Sequence, residues 1–329
     1  MHRPLVTLPI TLTLAVACAL SICSVSGAAD TTRVVRVGFV NPHSRMTAPA
    51  VSAFWDRLRE LGYIEGQNLV LDARWADSQP DRLPELAADV IRRKPDVVVT
   101  WGALATIAAQ NATSTVPLVA VGDMLGAGLV NSLARPGGNL TAVSLGFSNI
   151  AGKWLELLNE AVPRLSTVAV ITNPENPLNR NLTSELQATA SARHLKLRIF
   201  EVRRLQGLEG AFAQAHRQAQ AVLIMPDPIV IADPSRLIAL AAKYRLPAVY
   251  PGSRRMAHEG GLMAYGPDFA VAWRRTADYV DKILKGTKPA DLPIEEPPRY
   301  ELVVNLRTAK ALRLTIPASI MVRADEIVR

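Results

Sequence analysis

The sequence predicts an α/β protein of two similar doubly wound lobes, each a parallel sheet flanked by helices. Three observations carry this prediction. Beyond residue 33, short runs rich in Val, Leu and Ile alternate with helical stretches, the signature of strand–helix–strand units. The series runs through the chain twice. Its two copies also share punctuation: Asn41-Pro42 and Asn173-Pro174 follow the first strand, Pro117 and Pro247 open the fourth, and Gly137-Gly138 and Gly260-Gly261 precede the fifth. The matching marks lie 132, 130 and 123 residues apart. A repeat of that size implies two lobes rather than a solenoid. Any α/β chain has similar strands, but chance does not supply the shared Asn-Pro and Gly-Gly marks.

The first copy begins with the strand Arg36 to Val40. An amphipathic helix follows from Ala50 to Leu61, stopped by Gly62 as helix C-termini often are. Asn68 to Trp75 reads as the second strand, Asp81 to Lys94 as a helix and Asp96 to Trp101 as the third strand. Ala103 to Asn111 is helical, Pro117 to Gly122 is the fourth strand and Leu140 to Leu145 the fifth. In the second copy the strands are Thr167 to Thr172, Leu195 to Val202, Ala221 to Pro226, Pro247 to Tyr250 and Leu262 to Tyr265.

Composition fits this reading. The chain has 329 residues, room for two domains, with 49% hydrophobic and 20% charged residues. Aromatics are 5%, so Ala, Leu, Val and Ile must build most of the core. The net charge of +8 raises the question of nucleic acid or anionic lipid. The basic residues are scattered over helix faces with no polybasic run, so no nucleic-acid partner is expected.

Residues 1–29 read as a secretory signal peptide: a basic start at His2 and Arg3, an apolar stretch from Leu5 to Val25, then Ser26-Gly27-Ala28-Ala29 before Asp30. The rival reading is a retained membrane anchor. The small residues favour cleavage near Ala28 or Ala29. Cys18 and Cys23 both lie in this segment, so the mature chain is expected to have neither disulfide nor thiolate chemistry. Ala15-Val16-Ala17-Cys18 is an imperfect lipoprotein box, which leaves lipid attachment at Cys18 as an alternative to free release into the periplasm. No later apolar run is long enough to span a bilayer.

An enzyme needs a constellation, and none assembles. The five histidines are isolated, without metal-ligand spacing, and no Gly-x-Ser-x-Gly elbow is present. Gly146 to Lys153 resembles a phosphate loop only faintly: it is one residue too long, and Trp154 stands where Ser or Thr would hold magnesium. Asn41-Pro42-His43 occupies the place of a dinucleotide fingerprint. The sequence therefore calls for no cofactor, no metal and no catalysis.

Particular motifs add a resemblance. Glu60-Leu61-Gly62-Tyr63-Ile64-Glu65-Gly66-Gln67-Asn68, Gly122-Asp123 with Gly126 to Val130, and Leu133 to Asn139 are three of them. Asn173 to Pro177, Met225 to Pro228, Tyr265 to Asp268 and Ala277 to Gly286 are others, with Ala309 to Leu312 and Ile316-Pro317 near the end. Together they resemble the ABC-transporter substrate-binding proteins that include bacterial tryptophan- and tyrosine-binding receptors. The resemblance implies two Rossmann-like lobes joined by a multi-segment hinge, the type I periplasmic-binding-protein fold. It also implies a small organic ligand such as an amino acid, and a permease and ATPase in the inner membrane as partners. A monomer is expected. The expected lobes are residues 33–146 with about 267–296, and residues 147–266 with about 297–329.

Ligands of open α/β sheets bind beyond the carboxyl ends of the strands. The loops expected to face the cleft are Asn41 to Arg45, Trp101 to Ala105 and Gly122 to Met124 in the first lobe. Asn173 to Asn176, Asp227 to Ile229 and Gly252 to Arg254 are their counterparts. Candidate ligand-binding residues are Asn41, Ser44, Trp101, Gly102, Ala103, Asp123, Asn173, Asp227 and Tyr265, with Gly146 and Gly266 at the hinge. Unpaired N–H groups at Trp101-Gly102-Ala103 suit a carboxylate. Relatives carry Thr-Pro after that glycine, and Ala103-Leu104 here removes a hydroxyl contact. Trp101 either stacks on a planar ligand or lies in the core beneath it. Asp123 and Asp227 either accept from an ammonium or hydroxyl group, or cap the following helix. Asn41 and Asn173 either touch ligand or only form Asn-Pro turns. Tyr265 could present its hydroxyl; Arg45 and Arg254 read as solvated surface residues. The same architecture serves sensory receptors that report to a chemoreceptor or kinase, and that reading stays open from sequence.

Overall fold

The computed structural model describes residues 2, 33–45, 49–228, 230, 231, 233–252 and 254–329. The signal-peptide boundary, Cys18 and Cys23 lie outside the described residues, as do Ile229 and Ser253 of the expected cleft loops. Residues from Thr32 onward form one compact unit.

The first sheet is laid down by β1 (Val35–Asn41), β2 (Leu69–Trp75), β3 (Val97–Trp101), β4 (Leu118–Val121) and β5 (Leu140–Val143). Between them run α1 (Ser52–Glu60), α2 (Leu83–Arg92) and α3 (Gly102–Ala112). The strand order is β2-β1-β3-β4-β5, all parallel. Strands β3 to β5 are buried on both faces, which is why they read as continuous apolar runs rather than alternating ones. Gly38 in β1 is set by packing: a Cβ there would strike Val90 of α2 and lie 3.0 Å from Val98 Cγ2, so α2 approaches the strand as closely as backbone allows.

The second half follows through α4 (Ala151–Ala161), β6 (Thr167–Thr172), α5 (Pro177–Ala192), β7 (Lys196–Glu201), α6 (Leu208–Gln218) and β8 (Ala221–Ile224). Next come α7 (Pro234–Lys243), β9 (Ala248–Pro251), α8 (Arg254–His258) and β10 (Met263–Gly266). Strands β7, β6, β8, β9 and β10 repeat the order of the first sheet, so the duplication seen in the punctuation is also topological.

The chain then recrosses. Helix α9 (Phe269–Leu284) is capped by Asp268, which accepts from Ala270 N at 2.8 Å. It packs on α1 and on the strands of the first sheet. The chain returns to the second sheet as β11 (Glu301–Asn305), α10 (Leu306–Ala311), α11 (Ala318–Arg323) and β12 (Glu326–Val328). Strand β11 pairs antiparallel with β10, a departure from the all-parallel expectation. No expected strand covers β11 or β12, the latter only three residues long.

Hydrophobic packing is continuous from one sheet to the other. One apolar cluster takes in Phe39, Phe54 and Trp273 beside the first sheet, Phe147 and Trp154 at the crossing, and Val168 and Val170 of β6. The crossing segments are tied by Ser144 N donating to Glu295 O (2.8 Å), Tyr300 Oη to Gly146 O (3.1 Å) and Trp154 Nε1 to Tyr265 O (2.8 Å).

Candidate functional site

The strand order of each sheet reverses once, between β1 and β3 in the first and between β6 and β8 in the second. Such switch points leave a crevice at the carboxyl ends of the strands. The two crevices meet in one cavity of about 40 Å³, walled by His43, Trp101, Gly102 and Asp123 from one side and Asn176, Asp227 and Pro228 from the other. That volume is the space of about one water molecule, well below the several hundred Å³ of typical metabolite pockets. Admission of a metabolite therefore requires the lobes or the lining side chains to move. The lobes touch here: a Cβ on Gly102 would lie 3.5 Å from Pro228 Cγ, and Asn181 Nδ2 donates to Gly126 O at 2.6 Å. Farther out, Arg204 pairs with Asp81 at 2.9 Å.

On the first-lobe side, β3 passes directly into α3. The turn is made by Gly102 at φ +77°, a conformation that disfavours any residue with a Cβ. The first-turn N–H groups of α3 lack intrahelical acceptors and carry partial positive charge. Trp101 lines the cavity yet is only 8% exposed. Its indole meets Trp273 and Phe269 edge-on at 5.2 and 6.2 Å, and Phe269 in turn meets Phe147 at 6.5 Å. Trp101 is thus both cavity wall and core residue.

His43 was not singled out by the sequence. Asn41 Oδ1 accepts from His43 N at 2.9 Å, so the Asn-Pro corner is a turn whose product is the placement of this histidine. The imidazole lies 4.4 Å from the Trp101 ring, centroid to centroid. It is buried, and neither Nδ1 nor Nε2 has a hydrogen-bond partner among the described residues. Burial alone lowers its pKa to about 4, so the ring is neutral at pH 7.

The two aspartates differ. The Asp123 carboxylate accepts from Gly126 N (2.9 Å), Ser148 N (2.9 Å) and Ser148 Oγ (2.7 Å), which pins the β4 loop to the crossing segment. Asp227 is fully buried and accepts from Asn173 Nδ2 (3.2 Å), Asn176 Nδ2 (2.9 Å) and Val230 N (3.2 Å). Asn173 repeats the turn of Asn41, its Oδ1 accepting from Glu175 N at 3.0 Å. Asn176 caps α5 through Leu178 N at 3.1 Å, with Pro177 at the first helical position. A carboxylate oriented by two amides is a ready acceptor for an ammonium or hydroxyl group.

The cavity wall thus gathers Trp101, Gly102, Ala103, Asp123 and Asp227 of the expected residues, whereas Asn41, Ser44, Asn173 and Tyr265 do not line it. Asn41 and Asn173 stand one step behind, orienting His43 and Asp227. Ser44 lies half-buried after His43. Tyr265 sits on β10 with its ring 6.2 Å from Tyr300, and desolvation raises its hydroxyl pKa. Gly146 is left-handed at φ +60°, and a Cβ there would collide with the Tyr300 hydroxyl; one on Gly266 would collide with the Gly252 backbone. Asn176 lay within the quoted Asn173 to Pro177 motif; His43 lay within the expected Asn41 to Arg45 loop, but nothing beyond that and its place after Asn-Pro set it apart. No group of side chains able to hold a metal occurs among the described residues.

Two α/β lobes with a shared cleft at paired switch points define a type I periplasmic-binding-protein architecture. The chain belongs to the ABC transporter substrate binding protein family, whose model matches residues 37–328. It is 25% identical over 274 residues to a tyrosine-binding protein of Clostridioides difficile, covering 80% of this chain and 76% of that one. A conserved domain protein of Vibrio cholerae superposes with a TM-score of 0.83 at 26% identity, over 90% of this chain and all of the other. An ABC domain in complex with L-Trp from Streptococcus pneumonia superposes at 0.81 with 23% identity, over 89% and 99%.

Proposed function

We propose that the protein is the extracytoplasmic receptor of an ABC importer, capturing an amino acid or similar small organic solute between its lobes and handing it to a membrane permease. The observation that carries this reading is the cavity wall itself. It pairs a helix N-terminus and an aromatic face on one lobe with a buried, amide-oriented carboxylate on the other. A zwitterion meets opposite charge at its two ends in such a cleft: its carboxylate at the first turn of α3, its ammonium at Asp227. The tyrosine-binding relative and the L-Trp complex support an amino-acid ligand. Export supports the role, through the basic start, apolar stretch and small-residue run of residues 1–29. Among the described residues no helix is long and apolar enough to cross a membrane.

The test is a thermal-shift screen of the twenty amino acids and common organic acids on the purified chain, followed by calorimetry of each hit. A binder raises the melting temperature in proportion to ln(1 + [L]/Kd). Micromolar or tighter binding that weakens about 5- to 100-fold in Asp227→Ala is the expected result. A screen without a single binder would remove the receptor reading. Uptake of the hit by cells that produce the protein, compared with cells from which it has been deleted, then separates import from sensing.

A further inference from the structure

Among the polar side chains of the cavity wall, His43 stands apart. The Asp123 carboxylate already accepts three hydrogen bonds, that of Asp227 at least three, and both side-chain atoms of Asn176 are engaged. His43 is equally buried, faces the same cavity and has both ring nitrogens without a partner among the described residues. Its position is enforced from behind by the Asn41 turn and from the side by the Trp101 ring. Leaving two buried polar atoms unmet is costly, so a residue held in that state is placed for something that arrives.

We propose that His43 is a specificity-determining residue, whose imidazole hydrogen-bonds a polar group on the ring edge of an aromatic ligand lying in the cleft beside Trp101. The proposal rests on the amino-acid reading above and narrows it. A neutral imidazole offers one N–H donor and one acceptor nitrogen. It therefore suits a phenol hydroxyl, which can give and take, or an indole N–H, which gives to the acceptor nitrogen. It discriminates against a bare phenyl ring, which would leave both nitrogens unmet in a closed cleft.

The experiment compares two pairs of ligands by calorimetry: L-tyrosine with L-phenylalanine, and L-tryptophan with its benzothienyl analogue, in which sulfur replaces the N–H. Wild-type protein is expected to prefer the polar member of at least one pair by about tenfold or more. In His43→Phe, which keeps a ring against Trp101, that preference should fall to within about twofold while the apolar member still binds. His43→Gln, which restores a donor and an acceptor, should recover part of the preference. Ratios near one for both pairs in wild type overturn the proposal without any variant. So does an unchanged ratio in His43→Phe, or an equal loss for both members, which is the behaviour of a packing residue. Failure of all four aromatic probes while another metabolite binds also overturns it, yet leaves the receptor reading standing.

Discussion

Asn176 donates to Asp227 at 2.9 Å while its own oxygen caps α5, so one side chain fixes both the acceptor in the cleft and the helix beside it. Removing the acceptor strands two buried amides, those of Asn173 and Asn176. Asp227→Ala is expected to lower folding stability by about 2–4 kcal/mol, beyond any effect on binding. Asn176→Ala, which loses a cap and one donor, should cost about 1–2 kcal/mol. Urea unfolding of both variants without ligand checks the order; equal stability of Asp227→Ala and wild type would mean that the carboxylate is not part of this network.

Gly146 and Gly266 make a differential prediction. Gly146 has a positive φ and faces the Tyr300 hydroxyl, a side-chain atom that can be trimmed. Gly146→Ala should destabilise by about 1–3 kcal/mol, part of which Tyr300→Phe recovers. Gly266 faces the backbone of Gly252, which itself lies under Phe269. Gly266→Ala should cost at least as much and be rescued by no nearby side-chain truncation. Chemical denaturation of the two single variants and the Gly146→Ala/Tyr300→Phe double variant measures this.

His43 also predicts a pH dependence. Its pKa is about 4 when folded against 6.5 as a free side chain, with burial the sole cause. Between those values the unfolded chain binds a proton that the folded chain refuses, so stability is full above pH 6.5 and declines as pH falls toward 4. The loss amounts to about 3 kcal/mol at its largest. Stability curves at pH 7, 5.5 and 4 should therefore be flatter for His43→Phe than for wild type. Parallel curves would show that the ring is not buried neutral.

The strands were legible because parallel strands covered on both faces are written as unbroken apolar runs, as in Val97–Val98–Val99. The lobe repeat was legible because Asn41 and Asn173 perform the same local job: each accepts from the backbone N–H two residues on. Their distance from the cavity wall was not legible, since a turn residue and a contact residue have the same local chemistry. His43 was hidden for a related reason. Its neutrality comes from Trp101 and the rest of the wall closing around it, elements scattered from β1 to α9. Strands β11 and β12 are five and three residues long; β11 owes its place to pairing with β10 and β12 to pairing with β11, which local pattern cannot express.

Helix α9 belongs by its packing to the first sheet although it follows β10 of the second, and β11 then goes back. Neither half of the molecule is consequently a continuous stretch of polypeptide. No single cut in the backbone can free one half from the other, and neither can complete its layers during synthesis until nearly all of the chain has emerged. The two sides of the cleft are thus obliged to mature together and to be degraded together.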